Sequence, residues 1–414
     1  MTPPSAPTPP SARTPPSAPL PLIGVRVVEF SHMVMGPFCG MVLADLGAEV
    51  IKVEPPDGDK TRSLPGSGAG FFGCFNRNKK SIALDLKSDL GRQTALALIA
   101  TADVLNENFK EGTLAALGLG YEALQALNPG LVYVSHKGFL PGPYEHRTAL
   151  DEVVQMMGGL AFMTGPEGMP LRAGSSVNDL MGGLFGALGV LAALLQRAST
   201  GRGQEVRTGL YENNVLLVAQ HMMQAIVTQR PVPPMPSRVS AWAVYDVFTV
   251  KDGEQVFLAV VSDRQWGALC ASFGLDALLH DERLRTNTDR VMARDWLLPL
   301  LRAHFEGFSA QALSERFEQL ELPFAPIRTP EALFTDEHLL ASGGLAEVHL
   351  PADASLARAQ ISTLTPLMPL MMDGRRLGIR LHPPELGAHT GEIMDSLKSS
   401  DKGPLPDLSK GALQ

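Results

Sequence analysis

Two β-branched runs separated by one helical stretch, within residues 24–54, constrain the fold of this chain more than any other feature. Gly24-Val25-Arg26-Val27-Val28-Glu29-Phe30 reads as a strand. A turn is marked by Gly36-Pro37, and residues 39–46 then carry apolar side chains at helical spacing. Gly47-Ala48-Glu49-Val50-Ile51-Lys52-Val53-Glu54 reads as a second strand. Strand, helix and strand within about 30 residues make a βαβ unit, and such a unit needs a parallel sheet. Further strands are predicted at 81–85, 102–106 and 131–136, with helical patterns between several of them. The expected fold is α/β, with a doubly wound parallel sheet in a large domain that binds ligands at the carboxyl ends of its strands.

A chain of 414 residues is too long for one ordinary core. Residues 1–21 repeat Pro-Pro-Ser-Ala from Pro3, Pro9 and Pro15, and this composition predicts a disordered extension. A proline-rich stretch at 231–238 reads as a linker. Beyond it, runs at 244–250 and 255–261 flank Lys251-Asp252-Gly253-Glu254 as a hairpin, and helices are expected at 264–273 and 294–319. The expected domains are therefore a large one at 22–225, a smaller α+β one at 226–330, a return segment at 331–397 and a polar tail at 398–414.

The formal net charge is −8, and Lys and Arg form no long run, which argues against nucleic acid or an anionic membrane as partner. The longest uncharged apolar run, 180–195, falls short of the roughly 18 residues that span a bilayer. No secretory signal is visible. Cys39, Cys74 and Cys270 are widely spaced, form no metal motif and suggest a reducing compartment, so the expected location is the cytoplasm. Gly66, Gly68, Gly70 and Gly73 have the wrong spacing for a dinucleotide fingerprint, and there is no P-loop. No metal and no tightly bound cofactor are expected.

Asp179 stands just before a long apolar run, and the next charge after it is Arg197. A carboxylate at the mouth of a buried helix is costly unless it caps that helix or does chemistry. Both readings are open from the residues alone.

Several segments, taken in order, resemble one enzyme family. They are Ser31-His32-Met33-Val34-Met35-Gly36-Pro37, Leu43-Ala44-Asp45-Leu46-Gly47-Ala48-Glu49-Val50-Ile51-Lys52-Val53-Glu54, Asn76-Arg77-Asn78-Lys79-Lys80-Ser81-Ile82-Ala83-Leu84-Asp85-Leu86-Lys87, Ala102-Asp103-Val104, Glu107-Asn108-Phe109, Leu117-Gly118-Leu119-Gly120-Tyr121 and Thr200-Gly201-Arg202-Gly203-Gln204. The combination is similar to the class III coenzyme A transferases, the formyl-CoA and carnitine-CoA transferase group, from about residue 22 to 386. The resemblance implies an interlocked homodimer acting on an acyl-CoA and a small carboxylic acid, with the CoA thioester as substrate. It implies that Asp179 is the nucleophile, passing through an acyl-aspartyl anhydride and an enzyme thioester. It also implies CoA contacts at Leu84, Lys87, Asn108 and Phe109, with Val34 and Met35 lining the thioester pocket. His32 and Asp151 are expected nearby, Asp151 orienting an acceptor or water or else capping a helix. Gly182, Gly183 and Gly186 are expected to let the CoA arm and neighbouring backbone approach.

The chain departs from this pattern in places. Pro55 and Ala116 stand where some relatives place basic residues near the CoA phosphates, and Val34 stands where formyl-transferring members have glutamine. A glycine-rich flap has no counterpart between Ser237 and Val244. Formyl or oxalyl transfer is therefore not expected. Similarity to succinyl-using members at 76–86 and 163–167 favours succinyl-CoA, with Arg62, Arg172, Arg238 or His32 to bind a second carboxylate. Two alternatives remain. One is a 2-methylacyl-CoA racemase, whose acid/base histidine would fall at Leu150. The other is a non-catalytic CoA-binding partner subunit.

Overall fold

A computed structural model of the chain describes residues 19–238, 240–352 and 359–399. Most of the proline-rich head and of the polar tail thus lie outside the described residues. The chain divides into two compact units, one formed by Met1–Val232 with Gly343–Gln414 and the other by Pro233–Ser342.

The first unit is built on six parallel strands: β1 (Arg26–Phe30), β2 (Glu49–Glu54), β3 (Lys79–Ala83), β4 (Val104–Glu107), β5 (Val132–Lys137) and β6 (Glu205–Gly209). Their order is β3-β2-β1-β4-β5-β6, so the winding reverses between β1 and β4. The helices that concern the site are α1 (Met35–Asp45), α2 (Phe71–Phe75), α3 (Asp89–Ala100), α4 (Thr113–Ala116), α5 (Tyr121–Leu127), α6 (Asp151–Met157), α7 (Leu160–Thr164), α8 (Val177–Thr200) and α9 (Leu210–Thr228).

The pleat sorts the strand residues onto two faces. Val27, Val50, Val104 and Val132 pack with Val42 and Leu43 of α1 and Ala187, Val190 and Ala193 of α8. Val28, Ile51, Ile82 and Leu105 pack with Leu98 and Ile99 of α3 and Leu124 of α5. Helices on both faces make the sheet doubly wound, as the βαβ pattern implies.

The face under α1 and α8 turns polar toward the carboxyl ends of the strands. Every strand contributes buried polar side chains there: Lys79 and Ser81, Lys52 and Glu54, Glu29, Asn106, His136 and Thr208. Lys79 Nζ lies 2.9 Å from Glu29 and donates to the Pro37 carbonyl and to Asn76, and Lys52 Nζ lies 3.6 Å from Glu29 and 2.9 Å from Asp59. Asn106 Nδ2 donates to Glu29 and to the Gly36 carbonyl. His136 lies between Asn106 and Thr208, at 2.8 and 3.1 Å, and burial lowers its pKa to about 3. Gly40 of α1 is required here, because a Cβ would sit 1.7 Å from the Glu29 carboxylate.

The Asn76-Arg77-Asn78-Lys79 segment anchors the returning chain. Arg77 forks onto the buried Asp45 and bonds the Pro366 carbonyl, while Asn78 bonds Asp45 and receives the backbone N–H groups of Arg380 and Leu381. Asn78 takes a left-handed φ of 61° to do so.

The structure shifts several sequence boundaries. β3 begins at Lys79 instead of residue 81, because Lys79 and Lys80 read as polar but are paired with Glu29 and Glu49. The sixth strand was not foreseen, since Glu-Val-Arg-Thr-Gly is the polar signature of a sheet edge. The expected boundary at 225/226 falls inside α9, and the first unit closes at Val232. Leu20, near the end of the expected extension, already packs on the core near Gly47.

The second unit holds a three-stranded antiparallel sheet of Val244–Thr249, Gln255–Val260 and Phe324–Pro326. Helices Asp263–Phe273, Arg294–Phe305 and Ala310–Gln319 cover it around a core that includes Trp266, Leu301, Phe305 and Phe317. The single helix expected over 294–319 is two, because Ser309 caps the second one through the Ala312 N–H.

Removing the Glu29 carboxylate would leave two ammonium groups facing each other in a dry interior. Glu29→Ala is expected to cost about 3–5 kcal/mol, seen as a lower urea midpoint. An unchanged midpoint would contradict the role given to this pair.

Candidate active site

The reversal of winding between β1 and β4 leaves a crevice at the carboxyl ends of those strands, the usual ligand position in such sheets. The loop after β1 turns through Met33, whose left-handed φ of 63° is uncommon for a residue with a side chain. Asn108, just after β4, spans the crevice by accepting from the His32 N–H at 2.9 Å and donating to the His32 carbonyl at 2.7 Å. Gly36 allows this closeness, since a Cβ would meet Ser31 at 2.6 Å and Asn108 at 3.1 Å. Phe109 meets the His32 ring edge-on at 5.4 Å. Asn108, Phe109 and His32 are therefore one contact group. Burial lowers the His32 pKa, so its ring is neutral at pH 7 and offers no charge to a carboxylate.

Helix α8 leads into β6, so its N-terminus lies at the same carboxyl edge of the sheet. Gly182, Gly183, Gly186 and Gly189 set its distance from its neighbours. A Cβ at these positions would collide with Met35, with the Met35 carbonyl, with His136 and with Val206, respectively. The first three are expected to let the CoA arm and neighbouring backbone approach, and the close backbone is seen at Gly183. In place of the CoA arm they admit α1 and the sheet, because close helix packing uses the space that glycine leaves.

Asp179 lies in the first turn of α8, whose N-cap is Ser176 with no side-chain cap bond. Asp179 therefore does not cap the helix, and that reading is set aside. The cap comes from outside: Asp151 Oδ2, in the first turn of α6, accepts the N–H groups of Asn178 at 2.8 Å and Asp179 at 3.1 Å. Gln155 donates to Asp151 Oδ1 and accepts the Ala173 N–H at 2.8 Å, tying the loop before α8 to α6. Asp151 thus serves as a helix cap, but of the neighbouring helix.

Among the described residues no group donates a hydrogen bond to the Asp179 carboxylate. Desolvation, and then the Asp151 charge, raise its pKa from 3.8 to about 7, against a smaller opposing effect of Arg172. The helix dipole favours the ion at this end, yet burial and like charge prevail. A carboxylate so placed is short of stabilising donors and correspondingly reactive.

The remaining predicted residues fall elsewhere. Val34 and Met35 are buried, at 1% and 4% exposure, Val34 against Met41 and Phe75 and Met35 against Phe139 and Val154. They support the crevice from beneath, and Met35 starts α1 instead of lying on the loop. Leu84 and Lys87 follow β3, three strands from β4 and so about 14 Å across the sheet. Leu84 packs partly on the core and Lys87 is exposed. Leu150, where a racemase would place its histidine, is the exposed residue before α6. His136 is locked in the sheet network and His146 is exposed beside Glu145, so neither supplies that group.

Sequence reading missed Gln155 and a cluster of buried asparagines. Asn178 Nδ2 bonds Asn214 Oδ1 at 3.1 Å, while Asn178 Oδ1, Asn213 Nδ2 and Asn214 Nδ2 have no partner. The adjacent asparagines Asn213 and Asn214, just before the apolar run Val215-Leu216-Leu217-Val218-Ala219, were the available signal. A cavity of about 430 Å³ opens on the opposite face, lined among others by Glu107, Tyr133, Lys137 and Arg207. Of its lysines, Lys137 is already paired with Glu107 at 2.8 Å, and the sheet separates the cavity from Asp179.

Residues 22–390 match the family model described as CoA-transferase family III. The chain belongs to this family. The transferase is 33% identical to a succinate–glutarate CoA-transferase of Agrobacterium fabrum, over 93% of this chain and 98% of that one. It is 33% identical to a mouse succinyl-CoA:glutarate CoA-transferase, over 94% and 89% of the two chains. The crystal structure of a CaiB/BaiF family protein from Brucella suis superposes with a TM-score of 0.82 at 32% identity, covering 92% of this chain and all of the other.

The raised pKa of Asp179 carries a stability consequence. Its folded value, about 7, exceeds the unfolded 3.8, so the ionised side chain destabilises the fold above pH 7 and costs nothing below about 3.8. Asp179→Asn is expected to stabilise the transferase by about 1–2 kcal/mol at pH 8, after screening at this part-open site, with the gain shrinking as pH falls from 7 to 4. A gain independent of pH, in thermal melts across that range, would contradict this.

Proposed function

We propose that the transferase moves CoA from an acyl-CoA, with succinyl-CoA favoured, to a small carboxylic acid, using Asp179 as nucleophile. The observation that carries this reading is Asp179 itself, an unpartnered carboxylate in the first turn of α8 whose pKa is raised to about 7. The names of the relatives from Agrobacterium fabrum and mouse support the choice of donor.

The Asp179 carboxylate attacks the thioester carbonyl, the C–S bond breaks, and CoA leaves as thiolate with an acyl-aspartyl anhydride formed. The thiolate attacks the aspartyl carbonyl, giving an enzyme thioester and releasing the donor acid as carboxylate. The acceptor carboxylate then attacks this thioester, making a new anhydride and freeing the thiolate again. The thiolate attacks the acyl carbonyl, and Asp179 departs as carboxylate. Overall one thioester is exchanged for another, so the reaction is near balance and needs neither ATP nor a metal, and covalent catalysis divides it into easier steps.

The site's electrostatics suit this sequence. Acylation removes a charge that burial and Asp151 both disfavour, so the environment that raises the carboxylate's energy favours its covalent forms. CoA is a substrate, with its arm expected near Asn108 and Phe109 and its nucleotide near Leu84 and Lys87. The reading places the protein in the cytoplasm, acting without a tightly bound cofactor.

The direct test is a panel of acyl-CoA donors against carboxylic acids, read by mass spectrometry. Transfer is expected from succinyl-CoA and is expected to fall by about 10³-fold or more in Asp179→Ala. The wild-type kcat/KM is expected to rise through an apparent pKa near 7, and Asp151→Asn is expected to move that limb to lower pH by removing the like charge. Absence of transfer, with exchange of the α-hydrogen of a 2-methylacyl-CoA in deuterated water, would establish the racemase instead. CoA binding with neither activity would indicate a partner subunit.

The working form is a homodimer. Helices α8 and α9 leave Leu184, Leu188, Leu216, Met222, Met223 and Ile226 exposed, an apolar surface that a second copy would cover. Helix α8 is long and apolar enough to span a bilayer, but its glycine face is seated on α1 and the sheet. Light scattering is expected to give twice the 44.3 kDa chain mass. A monomer at micromolar concentration would refute this.

A further inference from the structure

Succinyl-CoA and a dicarboxylic acceptor both carry a second carboxylate, and four basic groups were candidates to bind it. Arg62 is fully engaged: Nε and Nη2 each lie 2.7 Å from Glu54, Nη1 donates to the Pro384 carbonyl at 3.0 Å, and the guanidinium stacks on Phe72 at 3.8 Å. His32 is neutral. Arg238 belongs to the second unit and donates to the Met235 carbonyl. Arg172 differs from these three.

Arg172 precedes α8 by a short loop, and its side chain is 37% exposed. Only Nε is bonded, to the Ala173 carbonyl at 3.1 Å. Nη2 lies 3.8 Å from Asp151 Oδ1 and Nη1 lies 3.8 Å from Glu152 Oε2, both beyond hydrogen-bond distance. Asp151 places this guanidinium beside the nucleophile: one carboxylate oxygen faces Arg172, and the other accepts the Asp179 N–H. The two flanking acids do not satisfy the arginine. Asp151 already accepts from Asn178, Asp179 and Gln155, and Glu152, 59% exposed, is free to turn to solvent.

We infer that Arg172 is the specificity residue that binds the distal carboxylate of a short dicarboxylic acyl group while its proximal carbonyl is held at Asp179. In that role Nη1 and Nη2, which here face Glu152 and Asp151 separately, present two donors to one carboxylate, the fork in which arginine surpasses lysine. A four- or five-carbon diacid is short, its carboxyl carbons about 4–5 Å apart when extended, and Arg172 and the Asp179 N–H both face the one Asp151 carboxylate. A monocarboxylic acyl group would leave the guanidinium without its anion. The inference rests on the transferase reading above and names the substrate class for it.

The test compares two substrate pairs in the full-length protein, succinyl-CoA with glutarate and butyryl-CoA with valerate. The wild type is expected to prefer the dicarboxylic pair. In Arg172→Met, kcat/KM is expected to fall about 100-fold for the dicarboxylic pair, mainly through KM, and by much less for the monocarboxylic pair, whose loss reflects only the Asp179 pKa that Arg172 no longer lowers. Arg172→Lys keeps the charge without the fork and is expected to lose about tenfold on dicarboxylates alone. This milder variant decides the matter if Arg172→Met does not fold. Equal losses on both pairs would overturn the inference and assign Arg172 to Asp151 and the helix start. Transfer by the wild type with no dicarboxylate preference would overturn the choice of substrate before any variant is made, and no transfer at all would overturn the transferase reading itself.

Discussion

The Glu29 carboxylate is fully buried between Lys79 at 2.9 Å and Lys52 at 3.6 Å, and both lysines are buried too. A charge in that position is tolerable only when every neighbouring donor and acceptor is satisfied. The requirement propagates outward. Lys79 also holds the Pro37 carbonyl, Lys52 holds the Ser31 carbonyl, and Asn106 holds the Gly36 carbonyl. Ser31 on the loop after β1, and Gly36 and Pro37 at the start of α1, are thus bound from beneath, and the left-handed turn at Met33 between them is maintained by its surroundings. The crevice at the reversal of strand order inherits its shape from an ion network that touches no substrate.

The same economy governs α8. Its glycines lower the helix onto α1, His136 and Val206, and this fixes where its first turn emerges at the sheet edge. Its backbone donors are met by Asp151 instead of by Asp179. With the cap supplied externally, Asp179 is left without a structural task and without a donor. The arrangement costs stability and yields a carboxylate that ionises near pH 7, the trade commonly seen where a fold holds a reactive group.

How far the sequence could be read varied with the physics of each segment. β1, α1 and β2 were legible because both strands are apolar on two faces, as central parallel strands are. β3 was misplaced by two residues because its lysines are buried by pairing, which hydropathy cannot register. β6 was missed because an edge strand reads as polar. At the site, Asp179 was visible as a lone charge at the head of an apolar run, and Asp151 and Arg172 were candidates beside it, whereas Gln155 and the contacts that join these residues were not. Asp151, Gln155 and Arg172 come from segments whose approach depends on how α6 and the following loop fold back on α8.

Sequence alone determined the parallel α/β architecture, the family and the candidate nucleophile, because each rests on local periodicity or on short motifs in fixed order. Tertiary structure alone decided that Asp151 and not Asp179 caps α8, that Gly182, Gly183 and Gly186 serve helix packing, and that Arg172 is the arginine with open donors beside the nucleophile. The physical reason is common to all three. Whether a polar group is spent on structure or left for chemistry depends on which partner reaches it, and those partners are brought together across the sheet by long-range packing, which local pattern does not encode.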